Sequence, residues 1–296
     1  MLPLVLVALA GFAAQLVDGS LGMGYGLTSS TLLIAIGLTP ALASASVHLA
    51  EIGTSAVSGF SHAKLGNVDK KVLLRIAIPG GIGAFLGATV LAGLSTQAAR
   101  PWASALLFVL GWYVFIRFLL HRTVQLRKGR PGRRLLIPLG LVGGFVDATG
   151  GGGWGPVTTP ALLATGRMAP ARVVGTVNAA EFIVAVSASL GFIVGLGWAA
   201  IDLEVLLPLL IGGMLAAPIA AWVAHRLPMR VMGVAVGGMI IFTNSITLTS
   251  AFGVPTPVRI GIIITVAVLW LGAVAAVTVQ HRRSVARQRT DNLVRQ

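Results

Sequence analysis

The chain has 296 residues, of which 56% are hydrophobic and only 10% are charged, and its mean hydropathy is +0.91. Soluble proteins carry roughly 25% charged residues, so this composition excludes an ordinary soluble globular chain. The net charge is +14, and cysteine is absent, which excludes disulfides, thiolate metal sites and cysteine nucleophiles. Apolar runs of roughly 20 residues recur along the chain, each long enough to cross a membrane. We therefore predict a polytopic membrane protein.

Seven apolar segments are predicted to cross the membrane as continuous helices. Two further stretches, 2–37 and 135–165, are interrupted near their centres by glycines and are predicted to be re-entrant helical hairpins. Each half of such a hairpin has about 13 residues and reaches only ~20 Å at 1.5 Å per residue, which is short for a span. The predicted spans are 40–61, 72–94, 101–120, 170–194, 204–226, 229–250 and 258–280.

The basic residues cluster in some connections between these segments and are nearly absent from others. By the positive-inside rule, the basic connections are cytoplasmic. Segment 135–165 then enters and leaves from the cytoplasmic side, the C-terminus is cytoplasmic and, if 2–37 is also a hairpin, the N-terminus lies outside. The basic connections are 62–75, 121–134, the turn at 227–228 and the tail 281–296, and those facing outward are 95–100, 195–203 and 251–257.

A repeat relates the two halves of the chain. Residues 11–31 align with residues 140–160, and this alignment places Asp18 on Asp147. Each repeat then contains one hairpin and three spans, and an odd number of spans inverts the second copy relative to the first.

The predicted fold is an all-α integral membrane protein with seven transmembrane helices and two re-entrant helical hairpins in two inverted-topology repeats. Two alternatives stay open: residues 2–14 as a cleaved signal peptide, although no basic segment precedes them, and glycines that serve only close helix packing. The predicted units are repeat 1 at 1–120, a basic cytoplasmic loop at 121–134, repeat 2 at 135–250, an extra span at 258–280 and a basic cytoplasmic tail at 281–296.

Four of the eight acidic residues lie well inside predicted membrane segments, away from the segment ends. An ionisable group at the bilayer centre costs at least about 2.5 kcal/mol, so such residues are usually functional. The four form two pairs that the repeat matches, Asp18 with Asp147 and Glu51 with Glu181. Aspartate before a helix break is also a common cap or turn residue, so a purely structural role stays open for the aspartate pair.

The two glutamates lie near the middle of their spans, each three residues after a polar residue. His48 precedes Glu51 and Asn178 precedes Glu181, and a spacing of three places each pair on one helix face. In the first repeat this face forms a polar stripe, which we expect to face the protein interior or a wet cavity. The stripe consists of Ser44, His48, Glu51, Ser55 and Ser58. The predicted proton-linked or gating residues are Asp18, His48, Glu51, Asp147 and Glu181.

Each predicted hairpin turn exposes backbone amides where its second arm begins. Helix N-termini bind anions, and glycine lets a ligand approach the backbone closely. Broken helices whose N-termini point at the centre of an inverted repeat are typical of secondary transporter sites. We therefore predict an anion site between the two turns, lined by the helices that carry Glu51 and Glu181.

The glycine-rich second turn also resembles a known family. The run 144–163, which contains Asp147, four consecutive glycines and Trp154, resembles the TauE/SafE sulfite and organosulfonate exporters. The degenerate first copy at 11–37 and the basic central loop also fit, so the resemblance covers about 4–280. It implies a prokaryotic inner-membrane carrier that moves small sulfur-containing anions, such as sulfite or sulfoacetate, outward. Because the first copy has fewer glycines, we expect the second hairpin to lie closer to the anion.

Together, the residues and the resemblance predict a multi-pass inner-membrane secondary transporter, not an enzyme, that exports a small sulfur oxyanion by proton-linked alternating access. No nucleotide loop, metal-ligand spacing or nucleophile constellation is found in the sequence, so no cofactor, metal, catalytic residue or nucleic-acid partner is expected. The predicted partners are the anion and the lipid bilayer. A passive anion channel, a carrier that binds cations or protons at the carboxylates, and a homodimer stay open.

Backbone amides and hydroxyls of the two turns are expected to hold the oxyanion. Tyr25 and Trp154 are expected to wall the pocket. The predicted substrate-binding residues are Ser20, Gly24, Tyr25, Gly26, Thr28, Thr149, Gly152, Gly153, Trp154, Gly155, Thr158 and Asn178.

Overall fold

The computed structural model describes residues 4–21, 24–120, 129–224 and 229–294, and over these ranges the chain is α-helical without a strand. The all-α prediction is therefore confirmed. A short 3-10 turn, Gly197–Ala200, follows the eighth helix. The helices are α1 (Leu4–Leu21), α2 (Tyr25–Ala35), α3 (Pro40–Lys64), α4 (Lys70–Gly93), α5 (Thr96–Leu120), α6 (Arg133–Gly150), α7 (Trp154–Ala164), α8 (Pro170–Leu196), α9 (Leu203–Ala224), α10 (Met229–Ala251) and α11 (Thr256–Val294).

Among the described residues, five helices have segments long and apolar enough to cross a membrane. Shorter apolar stretches occur at Leu4–Leu16 in α1 and Leu203–Ala216 in α9. Helix α3 has 25 residues, but its polar stripe lowers its hydropathy, so it is not among these five helices. The five segments are Lys70–Gly93, Thr96–Leu120, Arg172–Leu196, Gly233–Ala251 and Thr256–Arg283.

Each predicted hairpin segment consists of two helices separated by a break at glycine. In the first segment Gly24 has φ +120°, and in the second Gly151 and Gly152 have φ +75° and +151°. Only glycine adopts these angles readily, so the helix ends there. The first arms, α1 and α6, have 18 residues each and are longer than the expected 13, whereas α2 and α7 have 11. Helix α6 continues through Gly150 because an isolated glycine only weakens a helix.

Helices of the first half pack mainly against helices of the second half. Helix α1 packs along α9 and α4 along α6, while α3 pairs with α8 and α5 with α10. The predicted repeat matches α1 with α6 and α4 with α9, so the α1–α9 pair corresponds to the α4–α6 pair. It also matches α3 with α8 and α5 with α10, so each of these two pairs consists of a helix and its own counterpart. Glycines allow close approach: a Cβ atom on Gly87 of α4 would lie 2.7 Å from the carbonyl oxygen of Phe145 on α6. This interlocking places α3 and α8 side by side, next to both breaks.

Helix α11 lies at the edge of the bundle and packs against α10. It continues as one helix to Val294, so the described part of the predicted polar tail is helical.

Candidate functional site

The two helix breaks touch each other. A Cβ atom on Gly26 would lie 2.7 Å from the Cα of Gly152 and 2.7 Å from Oε1 of Glu51. A Cβ atom on Gly152 would overlap the backbone at Gly26 and Leu27. Glycine at both positions is therefore what allows the first turn of α2, the α6–α7 break and the Glu51 carboxylate to meet at one point.

Two serines join the second break to the first half of the chain. The Ser30 hydroxyl of α2 donates to the carbonyl oxygen of Gly151. The Ser44 hydroxyl of α3 donates to the carbonyl oxygen of Ala148, with an O–O distance of 2.7 Å. These two bonds satisfy carbonyl groups at the end of α6, where no further helical turn supplies a partner.

Asp147 binds the start of helix α7. Its Oδ1 accepts hydrogen bonds from the backbone amides of Gly153 (2.7 Å) and Trp154 (2.9 Å). Its Oδ2 lies 3.0 Å from Nε2 of His48, and both side chains are buried. The Asp147 carboxyl group therefore binds the backbone amides at the start of α7, which the sequence analysis assigned to the substrate anion.

Asp18 makes the equivalent contact in the first half. It accepts a hydrogen bond from the backbone amide of Tyr25, which the repeat matches with Trp154. Each aspartate thus places a hydrogen-bond acceptor at the N-terminus of the short second arm, where the exposed amides need one. The cap role that the sequence left open is present at both positions.

The His48–Asp147 pair holds one proton between its two side chains. Nδ1 of His48 lies 2.7 Å from the carbonyl oxygen of Ser44, which can only accept, so the hydrogen-bond network assigns a proton to Nδ1. A neutral imidazole then has no proton on Nε2. The 3.0 Å contact to Asp147 therefore requires either a charged imidazolium or a protonated carboxyl. Either arrangement makes the pair a proton donor in the interior of the bundle.

Glu51 is buried close to other acidic groups. Its Oε2 has no hydrogen-bond partner within the described parts of the chain, and the side chain is almost inaccessible. Glu181, Asp147 and Asp18 are close enough to act on it electrostatically. A buried carboxylate with an unpartnered oxygen and acidic neighbours is costly when ionised, so this site calls for a proton or another cation.

A polar cavity of about 360 Å³ lies beside the first break, between α1, α3 and α8. Two of the predicted residues, Asp18 and Asn178, line it, and Asn178 donates to the Ser58 hydroxyl with an N–O distance of 3.1 Å. The volume lies within the range of small-molecule sites. Its lining residues are Gln15, Asp18, Thr54, Ser55, Ser58, His62, Val174 and Asn178.

The predicted hydroxyl ligands differ in how they are used. Thr149 donates to Phe145 at 2.7 Å and Thr158 to Trp154 at 2.6 Å, so both hydroxyls serve backbone carbonyls of their own helices. The Thr28 hydroxyl is buried without a hydrogen-bond partner among the described residues, and it remains available to a ligand. The side chain of Ser20 lies outside the described residues.

The two predicted aromatic walls also have different surroundings. The Trp154 ring is fully buried, contacts Gly80 of α4 and donates from Nε1 to the Val177 carbonyl at 3.1 Å. It is absent from the lining of the polar cavity. The Tyr25 hydroxyl, in contrast, is buried without a hydrogen-bond partner in the described regions. Gly24 precedes α2, and Gly155 is buried in the first turn of α7.

Sequence reasoning missed Ser30 as a contact residue and Gln15 as a lining residue. Gln15 lies three residues before Asp18, a spacing that places both on one helix face and was available as a signal. Ser30 lies in a run of small hydroxyl residues after the first break, and nothing local distinguishes it from its neighbours.

Three residues at the centre have the chemistry of a cation site. His48, Glu51 and Asp147 each offer one ligand atom, and these atoms lie within 4.8 Å of one another. Nitrogen and carboxylate oxygen ligands suit a divalent transition metal, and the same groups also suit a proton.

Comparisons with known proteins identify the family of this chain. The chain is 50% identical over 273 residues to the probable membrane transporter protein YtnM of Bacillus subtilis (strain 168), covering 92% of this chain and 91% of YtnM. It is 26% identical over 218 residues to the probable membrane transporter protein YdhB of the same organism, covering 72% of this chain and 86% of YdhB. No solved structure matches significantly. Residues 7–247 match the family model for the sulfite exporter TauE/SafE, so this chain belongs to that family of membrane transporters.

Proposed function

We propose that this protein is a secondary transporter that exports sulfite or a small organosulfonate through the point where its two helix breaks meet, with proton coupling. The contact between Asp147 and the amides of Gly153 and Trp154 is the observation that carries the proposal. Those amides form an oxyanion site at a helix N-terminus, and in this conformation a carboxylate of the protein occupies it.

Asp147 and the transported anion compete for the same amides. When the His48–Asp147 pair takes up a second proton from solution, the Asp147 carboxyl becomes neutral while His48 keeps its own proton, so the Asp147 oxygens become poorer acceptors and the anion can replace them at Gly153 and Trp154. The second proton leaves Asp147 when the anion leaves, and the pair returns to holding one proton. Binding of the anion and binding of the proton are thereby linked.

Glu51 and Glu181 set a second condition for anion binding. An ionised glutamate near the anion would repel it, so at least one of the two is expected to be protonated when substrate is bound. This keeps the loaded site close to neutral, which lowers the cost of moving it within the membrane.

The polar cavity supplies access to the site from one side. His62 and Val174 lie towards the basic loops that are predicted to be cytoplasmic, while Asp18 lies next to the first break. The contact between Gly26 and Gly152 closes the route beyond it. Separation of the two breaks would open that route, and the symmetric pairing of helices supports such an alternating movement of two related halves.

This mechanism predicts that one proton and one monovalent anion cross together without net charge movement. The test is efflux of labelled methanesulfonate, which remains a monoanion at all relevant pH values, from proteoliposomes. Acidification on the substrate side should accelerate efflux, and an imposed membrane potential should leave the rate unchanged. Efflux that follows the potential and ignores the pH gradient would identify a passive channel.

Two variants connect this result to the site. Asp147→Asn resembles a permanently protonated carboxyl, so it should bind the anion without dependence on pH and lose acceleration by the pH gradient. Glu51→Gln should also reduce the acceleration of efflux by the pH gradient, while the hydrogen bonds from the N-termini of α2 and α7 to Asp18 and Asp147 stay intact. Asp202→Asn, which removes an acid from the connection before α9, is the matched control and should behave like the wild type. A wild-type pH response in both central variants would remove these carboxylates from the mechanism.

A carrier coupled to a metal cation is the second candidate, because His48, Glu51 and Asp147 converge within 4.8 Å. In that case efflux should depend on a divalent metal ion on one side of the membrane and be abolished by a chelator. Anion efflux that persists in chelator favours the proton.

A further inference from the structure

A second cleft, of about 340 Å³, lies at the start of α8 and is separate from the polar cavity. It is lined by residues of the described part, 129–134, of the connection predicted to be cytoplasmic, and by residues that follow segment 135–165, whose end is predicted to lie on the same side. Three arginines and one aspartate supply its charged groups. Its lining residues are Asp69, Gly129, Arg130, Arg167, Met168, Ala169 and Arg172.

The aspartate of this cleft already has its partners. Oδ2 of Asp69 accepts from Nε of Arg130 at 2.6 Å, and Oδ1 accepts from the amides of Lys71 (3.1 Å) and Val72 (3.3 Å). Burial works against the charge, but the hydrogen bonds from Arg130 and the two amides together keep the pKa of Asp69 below its ordinary value. Asp69 therefore caps α4 and neutralises Arg130 only.

The other two arginines have unused hydrogen-bonding capacity. Arg167 donates from Nη1 to the carbonyl oxygen of Arg130 at 3.0 Å, which holds its guanidinium beside the cleft, and its other N–H groups have no partner among the described residues. The Arg172 guanidinium makes no hydrogen bond within the described regions. Helix α8 begins at Pro170, and its N-cap residue, Ala169, offers no side-chain acceptor. The cleft thus has excess positive charge and unmatched donors.

We propose that this cleft binds a tetrahedral oxyanion, either the phosphate of an anionic lipid headgroup or a free phosphate-type anion, between Arg167 and Arg172. Guanidinium groups bind such oxyanions through two parallel hydrogen bonds. The cleft also has room for more than a single ion. The anionic surface of the cytoplasmic leaflet would supply a lipid ligand at this level of the protein. The proposal does not depend on the transported substrate.

The test is a binding titration followed by the thermal stability of the purified full-length protein in neutral detergent. Inorganic phosphate is compared with chloride at equal ionic strength, and short-chain phosphatidylglycerol with phosphatidylcholine. At least one of the two oxyanions should stabilise the wild type more than its comparison compound. Stabilisation by phosphatidylglycerol alone identifies a lipid ligand, and stabilisation by phosphate identifies a soluble one.

Arg172→Gln should raise the apparent Kd for that ligand about tenfold or more, because it removes a charge-assisted pair of hydrogen bonds. Arg172→Lys keeps the positive charge but loses the two parallel hydrogen bonds of the guanidinium. Its apparent Kd should therefore lie between those of Arg172→Gln and the wild type. Arg134→Gln is the matched control, since it removes an exposed arginine from the first turn of another helix, α6, outside the cleft. The proposal is overturned if neither oxyanion stabilises the wild type, or if Arg134→Gln weakens binding as much as Arg172→Gln.

Discussion

Gly152→Ala is the sharpest perturbation of the contact between the two breaks. Its new Cβ atom would overlap the backbone of the first turn of α2, at Gly26 and Leu27, and backbone atoms cannot rotate away. Overpacking of this kind costs about 1–3 kcal/mol, and the positive φ of Gly152 adds about 1–2 kcal/mol for a residue with a side chain. The conformation in which the breaks touch should therefore be disfavoured by about 2–5 kcal/mol, or roughly 30- to 3,000-fold.

Gly150→Ala is the matched control, two residues before Gly152 and at the last position of α6. Its Cβ atom would meet the Leu106 side chain at 3.5 Å, an ordinary contact. Thermal unfolding and substrate counterflow of the two purified variants make the comparison. Gly152→Ala should unfold at a lower temperature and lose most of its transport, whereas Gly150→Ala should keep both. Equal behaviour of the two variants would show that the breaks do not need to touch.

Three further substitutions separate structural roles from transport roles. Asp69→Asn should keep the cap of α4, since asparagine caps a helix about as well as aspartate, but lose the ion pair with the half-exposed Arg130, at a cost of about 1 kcal/mol or less. Because the folded pKa of Asp69 is lowered, this contribution is present above the ordinary pKa and lost as the pH falls through the folded value, so acid unfolding curves of variant and wild type should converge at low pH. Trp154→Ala should cost about 3–5 kcal/mol in chemical unfolding, since the ring is fully buried, and leave the ranking of substrates in transport unchanged. Glu181→Gln should alter the pH dependence of efflux while expression and thermal stability remain near wild type, and an unchanged pH profile would exclude a role in proton linkage.

Much of this architecture follows from simple patterns in the sequence. Hydropathy identifies the helices, and the glycine runs locate both breaks to within a few residues, because left-handed backbone angles there require glycine. The polar stripe from Ser44 to Ser58 also predicts that this face of α3 lies toward the protein interior or a wet cavity, since polar groups in an apolar helix need polar surroundings. His48 and Glu51 are accordingly buried next to the breaks.

The partners of individual groups at the site could not be predicted. Spacing gives Asp147 a place before the break, but its contacts with the Gly153 amide and His48 depend on how α3 packs against α6. The buried position of the Trp154 ring depends in the same way on Gly80 of α4 and Gly143 of α6. Such contacts join residues far apart in the sequence, and no local pattern encodes them.

The most direct test of the account is the side of the membrane on which each end of segment 135–165 lies. The chain has no native cysteine, so Arg134→Cys and Arg167→Cys each introduce a single labelling site, and Phe252→Cys reports the face predicted to lie outside. A membrane-impermeant maleimide applied to intact cells or to inverted vesicles distinguishes the two faces. If segment 135–165 is a re-entrant hairpin, Arg134→Cys and Arg167→Cys are labelled only in inverted vesicles and Phe252→Cys only in intact cells. Labelling of the two arginine positions from opposite faces would contradict the re-entrant hairpin, because segment 135–165 would then cross the membrane.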